Sequence, residues 1–105
     1  MDENYQNFIQ AINEKKVVKL EFNSKEKWNS IRMCIPFDFW PSRKFKDWLD
    51  RYHFYDLDSP EWSHNLSILP SQIIYISVTD EIFNPEDYVK WTPNRFIKRD
   101  WWIYS

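Results

Sequence analysis

The chain of 105 residues contains no glycine. Glycine reaches positive φ at no steric cost, so the tight turns of a β-rich protein normally depend on it. Average usage would place roughly 7 glycines in a chain of this length, whereas this chain has none and has seven tryptophans. Every turn must therefore be built from residues that carry a Cβ atom, which restricts tight hairpin turns most.

Several tryptophans stand in contexts that are typical of glycine. Trp28 lies in a polar hairpin segment, Trp48 lies in a polar loop, and Trp62 follows Asp-Ser-Pro-Glu. We hypothesise that tryptophan replaces glycine at such positions, either for a coding reason such as a reassigned UGA codon or for a functional one. In the functional alternative, exposed indole rings stack on nucleic-acid bases. The full set is Trp28, Trp40, Trp48, Trp62 and Trp102.

Size and composition predict one globular domain over residues 1–105. The chain is long enough for one hydrophobic core, and 43% of its residues are hydrophobic. The single cysteine, Cys34, excludes an intramolecular disulfide and favours a reducing compartment, so we expect a cytoplasmic protein. Neither an export signal nor an apolar stretch of membrane-spanning length is visible, so no membrane partner is expected.

Hydrophobic periodicity predicts an N-terminal helix followed by β-structure. Tyr5, Phe8, Ile9 and Ile12 have the spacing of one helix face, which indicates a helix over residues 1–14. Alternation of apolar and polar residues then predicts an antiparallel meander within 17–79, with a bend at Pro36, which has no amide proton for a neighbouring strand. The predicted strands are 17–22, 30–39, 51–57, 65–69 and 73–79, with a loop over 40–50.

This order of elements predicts a mainly β protein of the α+β class. We expect a small, strongly bent antiparallel five-stranded sheet or an Sm-like barrel, with the helix covering one end. Asn84 followed by Pro85 predicts a short helix over 84–91 after the last strand. The tail, residues 92–105, should pack on the sheet, because its many aromatic side chains are costly to leave in water.

Several stretches resemble the WYL domain, a small Sm-like barrel found mostly in bacterial transcription regulators and defence proteins. Tyr52, His53 and Phe54 stand at the three positions of the family's Trp-Tyr-Leu signature, and none of those letters is kept. Relatives usually place arginine where this chain has His64 and Ser67. The similarity covers about residues 5–91 and is carried by residues 11–22, 51–58, 64–68, 72–73 and 79–88.

The resemblance implies a stand-alone ligand-sensing domain with a regulatory role that binds single-stranded DNA or RNA or a nucleotide. A binding site on the strand 51–57 and its neighbours would use phosphate contacts and base edges. The alternative for these residues is structural, with aromatic rings in the core and histidines in internal hydrogen bonds. The candidate ligand-binding residues are Arg43, Arg51, Tyr52, His53, Tyr55, His64 and Ser67, with Lys44 as a further cation.

The second functional alternative is a protein–protein interaction module of a bacterial regulatory or defence system with no small ligand. Its partner would be a separate regulator or effector protein, or a second copy of the chain. A metal-dependent nuclease is a third class, because carboxylates and imidazoles bind divalent metals. The residues that suggest it, without a recognised ligand spacing, are Asp47, Asp50, His53, Asp56, Asp58 and His64.

We do not predict that this protein is an enzyme. The sequence has neither a glycine-rich phosphate loop nor a Cys-x-x-Cys pair, and its Ser, His and Asp residues are too scattered to indicate a catalytic triad. We therefore expect a binding protein that needs no cofactor and no metal ion.

Overall fold

The computed structural model describes residues 3–23, 29–41, 47–59, 64–88, 97, 99 and 101. Its fold is of the α+β class, as the sequence predicts, with one helix and a five-stranded antiparallel sheet. The elements are α1 (Glu3–Glu14), β1 (Lys16–Asn23), β2 (Asn29–Pro41), β3 (Asp50–Asp56), β4 (Asn65–Ile68), a 3₁₀ turn (Pro70–Gln72), β5 (Ile73–Ile82) and a second 3₁₀ turn (Pro85–Asp87).

The strand order in the sheet is β4-β3-β2-β1-β5. The first four strands form the predicted meander, but β5 does not continue it beside β4. Instead β5 crosses to the other edge and pairs with β1, where Val78 lies opposite Val18 and Ile76 opposite Leu20. These four side chains share the face that α1 covers, so this pairing buries the apolar alternation of both strands at once.

The predicted bend near Pro36 is confirmed as a register shift between Pro36 and Asp38, where β2 pairs with β3. The shift changes which residues of β2 share a face, because one extra residue reverses the alternation of side chains. The predicted loop over 40–50 is too long at its start, since β2 continues through Trp40 and Pro41.

The main core lies between α1 and the sheet. Phe8 and Ile12 of the predicted apolar helix face are fully buried. The ring centroid of Phe8 lies 4.9 Å from that of Tyr52 and 5.4 Å from that of Phe54, both in edge-to-face geometry. Edge-to-face aromatic contacts with β3 are therefore one of the interactions that hold the helix on the sheet.

Helix α1 also covers the middle of the exposed edge of β5. The Asn4 side chain accepts a hydrogen bond from the Ile76 N–H at 2.9 Å, and the Asn7 amide donates to the Ile76 carbonyl at 2.8 Å. The two asparagines take the place of a neighbouring strand at this residue. An edge that is capped in this way is a poor template for pairing with another chain.

The tail residues that the structure describes lie against the other face of the sheet. Trp101 is fully buried, contacts Phe37 and Phe83, and donates its indole N–H to the Ile12 carbonyl at 2.8 Å. The guanidinium of Arg99 lies 4.6 Å from the centre of the Trp101 ring. The tail thus supplies a large aromatic side chain to the core.

One acidic and one basic side chain hold this tail on β2. Asp38 accepts a hydrogen bond from the Ile97 N–H at 2.9 Å and lies 3.5 Å from the Arg99 guanidinium. Because Asp38 and Arg99 are both largely removed from solvent, each charge needs the other to offset its desolvation.

Positive φ occurs at Lys15 and Trp48 among the described residues. Lys15, with φ 55°, ends α1 in the left-handed conformation that glycine usually supplies. The expectation of a glycine-like backbone is confirmed at Trp48, with φ 60°, and is wrong at Trp40, which lies in a strand. The other three proposed positions, Trp28, Trp62 and Trp102, lie outside the described residues.

The predicted helix over 84–91 is a single 3₁₀ turn, Pro85–Asp87, within the part that the structure describes. Asn84 caps it as expected, since its side chain accepts a hydrogen bond from the Glu86 N–H at 3.1 Å. In the described ranges, no helix is long and apolar enough to cross a membrane.

Candidate functional site

Alternation along β3 divides the predicted ligand-binding residues between the two faces of the sheet. Tyr52 points to α1 and is only 2% exposed, with its ring 4.7 Å from Phe39 and 4.9 Å from Phe8. Its assignment as a ligand-binding residue is therefore wrong, because a ligand cannot reach a ring at the centre of the core. Arg51, His53 and Tyr55 lie on the opposite face.

His53 joins three strands through its two ring nitrogens. Its Nε2 lies 2.6 Å from the Trp40 carbonyl oxygen on β2, and its Nδ1 lies 2.8 Å from the Ser67 hydroxyl on β4. A carbonyl oxygen can only accept, so Nε2 carries a proton, and in the neutral ring Nδ1 accepts from Ser67. His53 therefore makes the internal hydrogen bonds expected of the structural alternative, and its role in ligand binding stays a prediction.

His64 is arranged differently and leaves one ring nitrogen available. Its Nδ1 donates to the Asp56 carbonyl at 2.7 Å, and its ring is stacked on Tyr55 with centroids 4.8 Å apart and planes 12° from parallel. Its Nε2 makes no hydrogen bond within the described ranges. Because Nδ1 carries the proton, Nε2 of the neutral ring is an acceptor.

Tyr55 is fixed from several sides. The ring of Tyr88 meets it edge to face at 5.0 Å, and the ring of Phe37 lies 6.3 Å away. Burial and the nearby Asp87 carboxylate raise the pKa of the Tyr88 hydroxyl, so this ring is uncharged at neutral pH. The stack of His64 on Tyr55 is consequently a preformed surface of packed rings.

The charge of Arg51 is already paired. Its two terminal nitrogens each lie 2.9 Å from an oxygen of Asp47, which also accepts the Leu49 N–H at 3.0 Å. The hydrogen bond from Arg51 lowers the pKa of Asp47 to about 2, and the same contact raises the pKa of Arg51. Arg51 is thus held in an ion pair, and the predicted Arg43 and Lys44 lie outside the described residues.

Trp40 extends the aromatic surface at the other end of β3. It pairs with Arg51, so it lies on the same face as His53 and Tyr55, and 51% of it is exposed. We call the set of Trp40, His53, Tyr55 and His64 the aromatic band. Trp40 belongs to the set predicted to replace glycine, for which base stacking is the functional alternative, and its place beside Arg51 depends on the pairing of β2 with β3.

Strand β4 borders the aromatic band at the edge of the sheet. Asn65 lies opposite Tyr55, and Ser67 lies opposite His53. Asn65 is exposed, and its side chain has no hydrogen-bond partner within the described part of the chain. Sequence reasoning missed Asn65, although its position directly after His64 in a predicted strand was a usable signal.

The carboxylates that suggested a nuclease have structural partners. Asp58 accepts the Met33 N–H at 2.7 Å and donates its own N–H to Asp56 at 2.9 Å, and Asp56 lies 3.9 Å from Arg32. Across the described ranges, no three His, Cys, Asp or Glu side chains are grouped as metal ligands would be. Cys34 is fully buried, and burial raises the pKa of its thiol, so it is a poor nucleophile.

Comparisons with protein-family models, with curated proteins and with solved structures found no match to this chain. The geometry of the aromatic band is therefore the feature of this chain that bears on its function.

Proposed function

We propose that this domain binds single-stranded nucleic acid, or a nucleotide, by stacking bases on the aromatic band. The observation that carries the proposal is the His64 ring, which is stacked on Tyr55 at 4.8 Å and anchored by a hydrogen bond to the Asp56 carbonyl. Rings that are already fixed lose little conformational entropy when a ligand binds. Aromatic rings also accept any base, because every base has a π-face.

The charges around the band favour the base over the phosphate as the recognised group. Arg51 is the cation that β3 presents on this face, and its charge is paired through the two hydrogen bonds that it donates to Asp47. The chain as a whole carries a net charge of −2. Phosphate contacts would make affinity fall steeply with salt, whereas stacking on aromatic rings gives a shallower dependence.

Fluorescence anisotropy of a labelled single-stranded DNA or RNA oligonucleotide tests the proposal. Loss of one base stack costs about 1–3 kcal/mol, so His64→Ala should raise Kd by about 5- to 150-fold. Tyr75→Ala is the matched control, because Tyr75 is an exposed aromatic residue of β5 whose hydroxyl contacts Glu3 on α1. An unchanged Kd in His64→Ala, or no binding by the natural chain, would contradict the proposal.

A regulatory role follows if the resemblance to WYL domains holds. In that case the domain is a WYL-like sensor with an Sm-like barrel that works in the cytoplasm and passes the binding signal to a separate regulator or effector protein. The N-terminal helix followed by five antiparallel strands supports this proposal. The position of His53 also supports it, because His53 stands at a position of the Trp-Tyr-Leu signature and belongs to the aromatic band.

A second candidate function is protein interaction without a small ligand, and one observation favours it. Trp48 is 86% exposed and its neighbour Leu49 is 50% exposed, and exposed apolar groups that lie together often mark an interface. Light scattering after size exclusion tests this function. Oligomers that dissociate in Trp48→Ser, together with no affinity for oligonucleotides, would favour interaction over nucleic-acid binding.

A further inference from the structure

We infer that the ligand of the aromatic band is an oligonucleotide and not a free nucleotide, with one base stacked at each end of the band. This inference rests on the proposed function. One end is His64, whose ring is stacked on Tyr55. The other end is Trp40, which is 51% exposed and lies on the same face of the sheet. Two ring surfaces on one face can take two bases of the same strand.

The register of the sheet sets the distance between the two rings. Trp40 lies opposite Arg51, and His64 lies opposite Asp56, whose N–H donates to the His64 carbonyl at 2.8 Å. Asp56 is five residues from Arg51 along β3, and Tyr55, on which His64 is stacked, is four residues from it. At about 3.3 Å per residue, the two stacking positions are about 13–17 Å apart. One base cannot lie on both rings at that distance.

A strand of a few nucleotides bridges this distance. A stacked strand rises about 3.4 Å per nucleotide, so roughly four or five steps span the two positions. A strand that is extended to about twice that rise needs roughly two or three steps. The bound segment is therefore about three to six nucleotides long, with its end bases on the two rings.

His53 lies between the two ends of the band and fixes their spacing. Its Nε2 donates to the Trp40 carbonyl at 2.6 Å, and its Nδ1 lies 2.8 Å from the Ser67 hydroxyl. These bonds link β2, β3 and β4 in addition to the hydrogen bonds of the sheet itself. Contacts that are held at a fixed spacing before binding need little ordering when the ligand arrives.

Two stacks on one strand explain a gain in affinity without a further cation. Once one base is bound, the second is held near its ring at a high effective concentration. A second stack of ordinary strength should lower Kd by about 5- to 150-fold relative to a mononucleotide. Arg51, the cation that β3 presents on this face, is held by Asp47 at 2.9 Å, so added phosphates should not produce the same gain.

Competition by oligothymidylates of increasing length against a labelled single strand tests the inference, because a single base type leaves length as the variable. Kd should change little between one and two nucleotides, fall about 5- to 150-fold between two and six, and then level off. The fall should persist at about 1 M salt, where charges are screened within about 3 Å. This length series uses the natural chain and needs no variant.

Variants of Trp40 identify the second ring. Trp40→Leu keeps an apolar side chain in the strand but has no π-face, so Kd should no longer fall between two and six nucleotides. Trp40→Phe keeps a ring and should retain the fall. Tyr75→Ala, which removes an exposed aromatic ring outside the band, should also retain it. Circular dichroism would verify that the variants fold.

The outcomes separate this inference from the proposed function. Binding that depends on His64 but tightens only gradually with length would overturn the two-ring inference alone. A fall in Kd that survives Trp40→Leu, or that vanishes at about 1 M salt, would overturn it as well, since another residue or the phosphates would then be responsible. Absence of binding to every oligonucleotide would remove the proposed function and the inference together.

Discussion

Replacing Trp48 with glycine is expected to stabilise the fold, although tryptophan has the largest side chain of the standard amino acids. Trp48 has φ 60°, and its side chain is 86% exposed. A residue with a Cβ atom in this left-handed conformation costs about 1–2 kcal/mol. Glycine removes that cost but adds about 0.5–1 kcal/mol of unfolded-state entropy. Because so little of the indole is buried, the packing lost is small.

The net gain in the free energy of unfolding is therefore about 0–1.5 kcal/mol, which for a domain of this size corresponds to at most about 12 °C in Tm. Urea denaturation followed by far-ultraviolet circular dichroism measures it as a higher midpoint at an unchanged m value. Trp48→Ala is the matched control, because alanine keeps the Cβ atom and hence the backbone cost. Trp48→Gly that is no more stable than Trp48→Ala would refute the reasoning.

Trp40 provides a control of opposite sign for the same substitution. It lies in β2 opposite Arg51 and has an extended backbone that any residue adopts. Glycine within a strand is destabilising by about 0.5–1 kcal/mol, and the half-buried indole adds a packing loss. Trp40→Gly should therefore lower stability while Trp48→Gly raises it. Equal effects of the two substitutions would mean that backbone conformation does not govern them.

The same variants distinguish the coding explanation of the missing glycines from the functional one. A more stable Trp48→Gly with unchanged affinity for oligonucleotides would support replacement of glycine by tryptophan for a coding reason. A more stable Trp48→Gly with weakened binding would support a functional indole at that position.

Two further predictions concern the stability of the core and the dependence of stability on pH under acidic conditions. Trp101→Phe keeps an aromatic ring but removes the indole N–H that donates to the Ile12 carbonyl. Urea denaturation should therefore show a loss of about 1–3 kcal/mol in the free energy of unfolding. Trp40→Phe is the control variant and should cost less. The pKa of Asp47 falls from 3.8 to about 2 on folding, so its stabilising contribution is complete above about pH 4 and is lost as pH falls toward 2. Arg51→Met should flatten the dependence of Tm on pH in that window, and an unaltered dependence would show that the ion pair does not stabilise the fold.

Much of the fold could be predicted because the signals for its elements are local. The helix face of Phe8 and Ile12 follows from a spacing of three to four residues, and the buried face of β1 follows from simple alternation. The bend at Pro36 follows from the missing amide proton. The site was less predictable, because proximity of His64 to Tyr55 depends on a turn that brings separate strands together.

The return of β5 to β1 had no local signal. Its apolar alternation fits either edge of the sheet, so the choice depends on which pairing buries both faces and on the caps that Asn4 and Asn7 place on Ile76. The roles within β3 were equally non-local. Whether Arg51 meets a phosphate or Asp47, and whether His53 is free or bonded to Ser67, is decided by neighbours across strands and loops.

The sequence by itself determined the helix, the number of strands, the alternation of side chains along β3 and the exclusion of an intramolecular disulfide at Cys34, because each follows from periodicity or residue chemistry along the chain. Only the tertiary structure decided that Tyr52 is buried, that Arg51 forms an ion pair with Asp47 and that Nε2 of His64 has no hydrogen bond among the described residues. The physical reason is that burial and hydrogen-bond partnership are properties of pairs of residues, and distant pairs exist only in the folded chain.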